Sequence, residues 1–234
     1  VTGQQCPGPV LALNNAIEAI QPGEAASILS TDPGFAADMP AWCHATGNRL
    51  ASLEPEQGGY RAIVVKQAEY ANPPLTTSTE KRFTNVVFSN DLDKALAAFI
   101  IANGAATMGY KVTLFFTFWG LNVLRKQGPV TVKKNLIEKM FGIMMPKGPS
   151  KLKLSQMHMG GMGGAMIKGI MKQKNVLSLP ELMQTAMNNG VKIVACTMSM
   201  DLMGIKSEEL IDGIEEGGVA MYIDEIGGNA NLFI

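Results

Sequence analysis

The chain has 234 residues, 47% of them hydrophobic, which is enough for one large globular domain or two modest ones, each with its own core. Twenty basic and twenty acidic side chains cancel and no run of like charges occurs, so bulk electrostatics favours neither nucleic acid nor an anionic membrane surface. Three cysteines, Cys6, Cys43 and Cys196, cannot all pair and match neither a disulfide framework nor a CxxC zinc site, which points to a reducing, cytoplasmic compartment.

The chain starts at Val1 without methionine or a basic-then-apolar leader and is expected to be part of a longer polypeptide. In "CPGPVLALNNAI", Cys6 stands just ahead of a helix with apolar positions at Val10, Leu11, Leu13, Ile17 and Ile20. Pro7 and Pro9 fit its first turn, where the N–H groups have no intrahelical acceptor. A sulfur at such a start feels unsatisfied N–H groups and the positive end of the helix dipole, which favour thiolate over thiol. "AASILSTD" reads as a strand. "DPGFAADMPAWCHATGN" reads as a helix ending at Gly47, with Phe35, Met39, Trp42 and Cys43 on one face. "RLASLEPE" and "YRAIVVKQ" around "QGG" form a hairpin. The pattern is βαβαββ, with Val1 to Gly3 as the stub of a first strand.

Residues 68–81, "AEYANPPLTTSTEK", read as a linker. Beyond it come a strand in "FTNVVFSN", a helix capped by Asn90 or Asp91, and a strand in "KVTLFFTF". Helices follow near 131–142, 164–173 and 179–189, then the strand "VKIVAC", a helical turn to Gly204, a helix over 207–216, and apolar "GVAMYID" and "NLFI" as further strands. Apolar strands alternating with helices imply a mainly parallel, doubly wound sheet covered on both faces, a three-layer α/β/α domain. Its most apolar runs are interrupted too early for a membrane span, so membrane association is not expected.

Cys196 ends its strand at the carboxyl edge, where open α/β sheets place reactive groups, and this predicts an exposed thiol with hydrogen bonds from Thr197 and Ser199. Cys43, beside Trp42, reads as packing, and the adjacent His44 points about 100° away from it along the helix. The stretch "MMPKGPSKLKLSQMHMGGMGGAMIKGIMK" offers thioethers and His158, which suit copper(I), but it lacks a cysteine. The preferred reading is an adaptable apolar lid over Cys196 or a contact with a neighbouring subunit. Lys151, Lys153 and Lys168 read as a solvated face able to attract an anionic donor. No metal or cofactor is expected.

The motifs "CPGPVLALNNAI" and "STDPGFAADMPAWCHATGN", followed by the hairpin, resemble a TusA/SirA-like sulfur-carrier domain over residues 1–67. That resemblance implies a two-layer βαβαββ fold and a persulfide carried on Cys6, with Asp32 to Gly34, Asp38 and Gly47 matching the family pattern. Residues 82–234, through "FFTFWGLNVLRK", the Met/Gly-rich middle and "ACTMSMDLMGI", resemble a DsrE/DsrF-like domain. Here the resemblance implies a functional thiol at Cys196 and rules out an intradomain disulfide step, because no second cysteine is present. The pair of domains is similar to the C-terminal part of multidomain proteins with CoA-disulfide reductase-like and rhodanese modules. Implied partners are sulfur donor and acceptor proteins, and a homo-oligomer is expected. A tether of about 14 residues spans roughly 20 Å on average, so Cys6 and Cys196 could exchange sulfur directly. The alternative is a non-catalytic module for oligomerisation and partner docking.

Overall fold

A computed structural model describes residues 1–4, 8–68, 81–226 and 230–234, with only the backbone described for Ala230. Cys6, and residues 69–80 of the expected linker, lie outside the described residues. The chain divides into two compact units. One comprises Val1–Glu80, Cys196–Met198 and Glu216–Gly228; the other comprises Lys81–Ala195, Ser199–Glu215 and Asn229–Ile234.

In the first unit, α1 (Gly8–Glu18) buries Pro9, Leu13 and Ile17, one residue per turn on a single face. It is followed by β1 (Ala25–Ser30), α2 (Phe35–Thr46), β2 (Arg49–Glu56) and β3 (Gly59–Val65). The helix α2 stops at Gly47, whose left-handed φ of 70° is the conformation glycine adopts without steric cost. The β2–β3 turn is tight because Gln57 and Gly58 both take positive φ, 49° and 76°, which matches the twist of the hairpin. The three strands form an antiparallel sheet in the order β1-β3-β2. Both helices pack Leu13, Ile17, Phe35, Met39, Trp42 and Cys43 against Ile28, Ala62 and Val64. Residues 1–3 do not form a strand; instead the Val1 amino group donates to Leu29 O at 3.1 Å and the Gly3 N–H to Thr31 Oγ1 at 2.9 Å. With Gly3 at φ 80°, so short a segment reaches β1 without extending alongside it.

The remaining elements are β4 (Arg82–Val87), α3 (Leu92–Thr107), β5 (Lys111–Phe116), α4 (Leu136–Met144), α5 (Met162–Gln173), α6 (Leu179–Asn188), β6 (Lys192–Cys196), α7 (Thr197–Met203), β7 (Glu215–Gly217), α8 (Val219–Ile226) and β8 (Ala230–Phe233). Their sheet has five strands in the order β7-β6-β5-β4-β8, with β5 and β8 parallel to β4 and β6 parallel to β5. The chain steps outward from β4 through β5, β6 and β7 and then returns to the other side of β4, so the strand order reverses there, as in doubly wound folds. The result is the expected mixed α/β chain, a small antiparallel sheet followed by a larger parallel one.

Val87, Val112, Leu114, Phe116, Ile193 and Ala195 share one face of this sheet and pack against α3 and α6. Asn103 Nδ2 ties these two helices together, donating to Phe99 O and to Leu182 O at 3.0 Å. The helix expected over 207–216 is only a 3-10 turn at Ser207–Glu209, because Gly213 takes a φ of 82° and redirects the chain into β7. "GVAMYID", expected as a strand, instead enters α8 from Val219 onward. The helix expected from 131 begins at Leu136, where Asn135 and Glu138 close a reciprocal cap. No described helix is long and apolar enough to cross a membrane.

Candidate functional site

Parallel pairing puts the ends of β4, β5 and β6 at one edge of the sheet, and β6 reaches that edge with Cys196. Side chains alternate along a strand, so Ile193 and Ala195 enter the main core while Lys192, Val194 and Cys196 occupy the other face. The helix α7 starts at the next residue without a connecting loop. Contrary to the sequence expectation, the thiol is buried, at 5% exposure. The neighbouring hydroxyls also have partners: Thr197 Oγ1 is 3.5 Å from Gly217 O, and Ser199 Oγ is 2.7 Å from Thr117 Oγ1. Both residues are fully enclosed. A Cβ added to Gly34 would fall 2.5 Å from Thr197 Oγ1, so the Asp-Pro-Gly turn fits against the residue after Cys196 only as glycine.

Cys6 lies outside the described residues, but its flanks are fixed. Upstream, Gly3 is held by Thr31, and downstream α1 begins at Gly8 with Pro9 buried at its second position. The third thiol, Cys43, packs into the core of the first unit, where burial pushes its pKa up to about 11. It remains a neutral thiol at physiological pH and a poor nucleophile. Its neighbour His44 is exposed and places Nδ1 2.7 Å from Asp224 Oδ1.

Asp38 lies under the start of α8. It is fully buried, and its Oδ1 accepts from the Gly218 N–H at 3.0 Å and the Met221 N–H at 3.1 Å. Burial dominates and raises its pKa to about 6; the two N–H donors oppose that shift and nearby Asp32 adds to it. Gly218 cannot carry a side chain there, since its Cβ would lie 2.1 Å from Asp38 Oδ2.

Sequence reasoning missed a buried charge cluster in the second unit. Arg125 Nη2 donates to Glu209 Oε1 at 3.0 Å, Lys134 pairs with Glu209 Oε2, and Arg125 Nη1 is 3.5 Å from Asn122 Oδ1. Burial works to raise the Glu209 pKa, but Lys134, the Lys206 N–H and Arg125 together hold it below the usual carboxylate range. No periodicity pairs an arginine with a glutamate 84 positions away.

The Met/Gly-rich segment is fastened to the start of α3: Leu92 N–H donates to Lys153 O at 2.7 Å, and Ser155 N–H donates to Asp93 Oδ1 at 2.8 Å. Met157 and Met159 are exposed, and His158 Nδ1 is buried without a partner among the described residues. Among those residues no three His, Cys, Asp or Glu side chains gather to hold a metal.

Comparison with known proteins gives two matches along the chain. Residues 79–233 match the DsrE/DsrF/DrsH-like family, and residues 1–66 match the sulfurtransferase TusA family. An uncharacterized protein YrkE of Bacillus subtilis is 55% identical over 159 residues, covering 68% of this chain and 99% of that protein. The sulfur carrier protein DsrE2 of Allochromatium vinosum is 37% identical over 155 residues, covering 63% of this chain and 94% of its own length. The sulfur carrier protein TusA of Pseudomonas aeruginosa is 34% identical over 68 residues, 29% of this chain and 86% of that carrier. The chain therefore belongs to the DsrE/DsrF/DrsH-like family, with a TusA sulfurtransferase domain preceding that domain in the same polypeptide.

Proposed function

We propose that this chain relays sulfane sulfur as a persulfide, first or last on Cys6 and in the other step on Cys196, in the cytoplasm. Both family assignments and the sulfur-carrier relatives support a sulfur-transfer role. The observation that carries the finer reading is the position of Cys196 as the last residue of an inner strand, at the carboxyl edge of a parallel sheet. In each step an acceptor thiolate attacks the outer sulfur of a donor persulfide. A new S–S bond forms, the old one breaks, and the donor leaves as a thiolate, which takes up a proton from solvent. The exchange is redox-neutral and needs no cofactor. Burial of Cys196 shields a loaded persulfide from adventitious thiols, and loading then requires local opening at the start of α7. Domain limits of 1–67 and 82–234 follow from the same reading, with donor and acceptor proteins as partners.

Intact-protein mass spectrometry after exposure to a persulfidated donor tests this. Wild type is expected to gain up to two sulfur increments, Cys6→Ser and Cys196→Ser one each, and Cys43→Ser as many as wild type. Loading that survives in the Cys6→Ser, Cys196→Ser double variant would end the proposal.

A non-catalytic, oligomer-forming role is favoured by α4, where Leu136 and Ile143 are each 84% exposed and Met144 is 74% exposed. Light scattering should then show a homo-oligomer that Ile143→Lys dissociates, with no sulfur increment on either cysteine.

A further inference from the structure

The second unit holds a cleft of about 710 Å³ that the sulfur-transfer reading does not use. Leu92 and Leu96 of α3, Met171 of α5, and Val176, Leu177 and Leu179 at the approach to α6 make its walls apolar. Val176 and Leu177 are 43% and 46% exposed, so this apolar lining faces solvent. The cleft has the size and mixed lining of a small-molecule site.

Its charges are one-sided. The lining carries Lys168, Lys172 and a single carboxylate, Glu181. That carboxylate is already engaged, accepting from the Ser178 N–H at 2.7 Å and the Ser178 hydroxyl at 2.6 Å, and these bonds hold its pKa below the ordinary value. Lys168 Nζ donates to the Ser150 carbonyl at 3.3 Å, and among the described residues neither Lys168 nor Lys172 has a carboxylate partner. The two lysines lie one turn apart on α5 and share a face. Around them, residues 133–174 contain nine lysines and one glutamate, a local excess of eight positive charges in a chain with no net charge. Leu92 in its wall is the first residue of α3 and follows the carboxyl end of β4, the sheet edge at which open α/β folds bind ligands.

We propose that this cleft binds a small amphiphilic anion, with its hydrocarbon body against Leu92, Leu96, Met171 and Leu177 and its anionic head between Lys168 and Lys172. A neutral amphiphile would leave both ammonium groups without a counter-charge, and a short hydrophilic anion would leave the apolar walls wet.

Calorimetric titration of the full chain with decanoate, decanol and acetate, all below micellar concentrations, tests the proposal. Decanoate is expected to bind one to one and saturably, with decanol and acetate each at least several-fold weaker. The Lys168→Ala, Lys172→Ala double variant should weaken decanoate roughly tenfold, the scale of one or two charge-assisted contacts, and leave decanol unchanged. Leu177→Asp, with its fold verified by circular dichroism, should abolish decanoate binding. Decanol binding as tightly as decanoate, an unchanged decanoate affinity in the lysine variant, or no saturable binding in wild type would each overturn it.

Discussion

Asp38 is protonated over a wider pH range in the folded chain than in the unfolded one, because burial lifts its pKa from an ordinary 3.8 to about 6. Between about pH 4 and pH 6 the folded state therefore binds more protons at this site, and stability falls as pH rises through that window and then levels off. The change integrates to at most about 3 kcal/mol. Asp38→Asn keeps an oxygen for the Gly218 and Met221 N–H groups but cannot ionise. It should remove that slope and raise stability at pH 7, as measured by urea unfolding at pH 4.5 and pH 7. At Cys43 burial acts in the same direction, and a thiol held near pKa 11 should react with iodoacetamide at pH 7 far more slowly than a free cysteine. Fast alkylation of Cys43, mapped by mass spectrometry, would contradict its place in the core.

Two elements depend on contacts with no local sequence signal. The 3-10 turn at Phe118–Leu124 lies against β4 so closely that a Cβ on Gly120 would sit 2.0 Å from Val87 O. Gly120→Ala should lower stability by about 1–3 kcal/mol in denaturant titration, or more if β4 is displaced. Glu209 neutralises Arg125 and Lys134 where water does not reach, so Glu209→Gln strands two buried cations and should cost about 3–5 kcal/mol. Because the folded-state pKa of Glu209 is depressed, its stabilisation is present above its ordinary pKa and lost on acidification below it. Elements with strong local chemistry were readable from sequence: Gly47 ends α2, and the Gln57-Gly58 turn sets the hairpin. The segment that became α8 was not. Val219, Met221 and Ile223 alternate like a strand, while Val219, Tyr222, Ile223 and Ile226 also follow a helical spacing. The Asp38 carboxylate, capping two N–H groups at the start of that segment, favours the helix. For the candidate site, the strand end at Cys196 was legible from the apolar run before it. Its burial was not, because periodicity gives the face of a strand but not what covers that face.

At the scale of the whole molecule, a sequence pI of about 6.9 leaves the chain with almost no net charge near neutrality, while the basic excess over residues 133–174 requires an equal acidic excess elsewhere. Opposite regions of different copies then attract, and no net repulsion opposes them. Light scattering at pH 7 should show association that is strongest at low ionic strength and weakens in roughly 0.3 M salt, where screening acts within several ångströms. Association insensitive to salt would assign it to the exposed apolar face of α4 instead. The connectivity also constrains how the protein is made. The first unit draws on Cys196–Met198 and Glu216–Gly228, and β4 gains β8 as a neighbour only from residues 230–233. A ribosome delivers the chain from the N-terminal end, so neither unit can close until residues 216–233 have emerged. Until then β4 presents an open edge, and a nascent chain stalled in that interval would be a natural client for chaperones that cover unpaired strands.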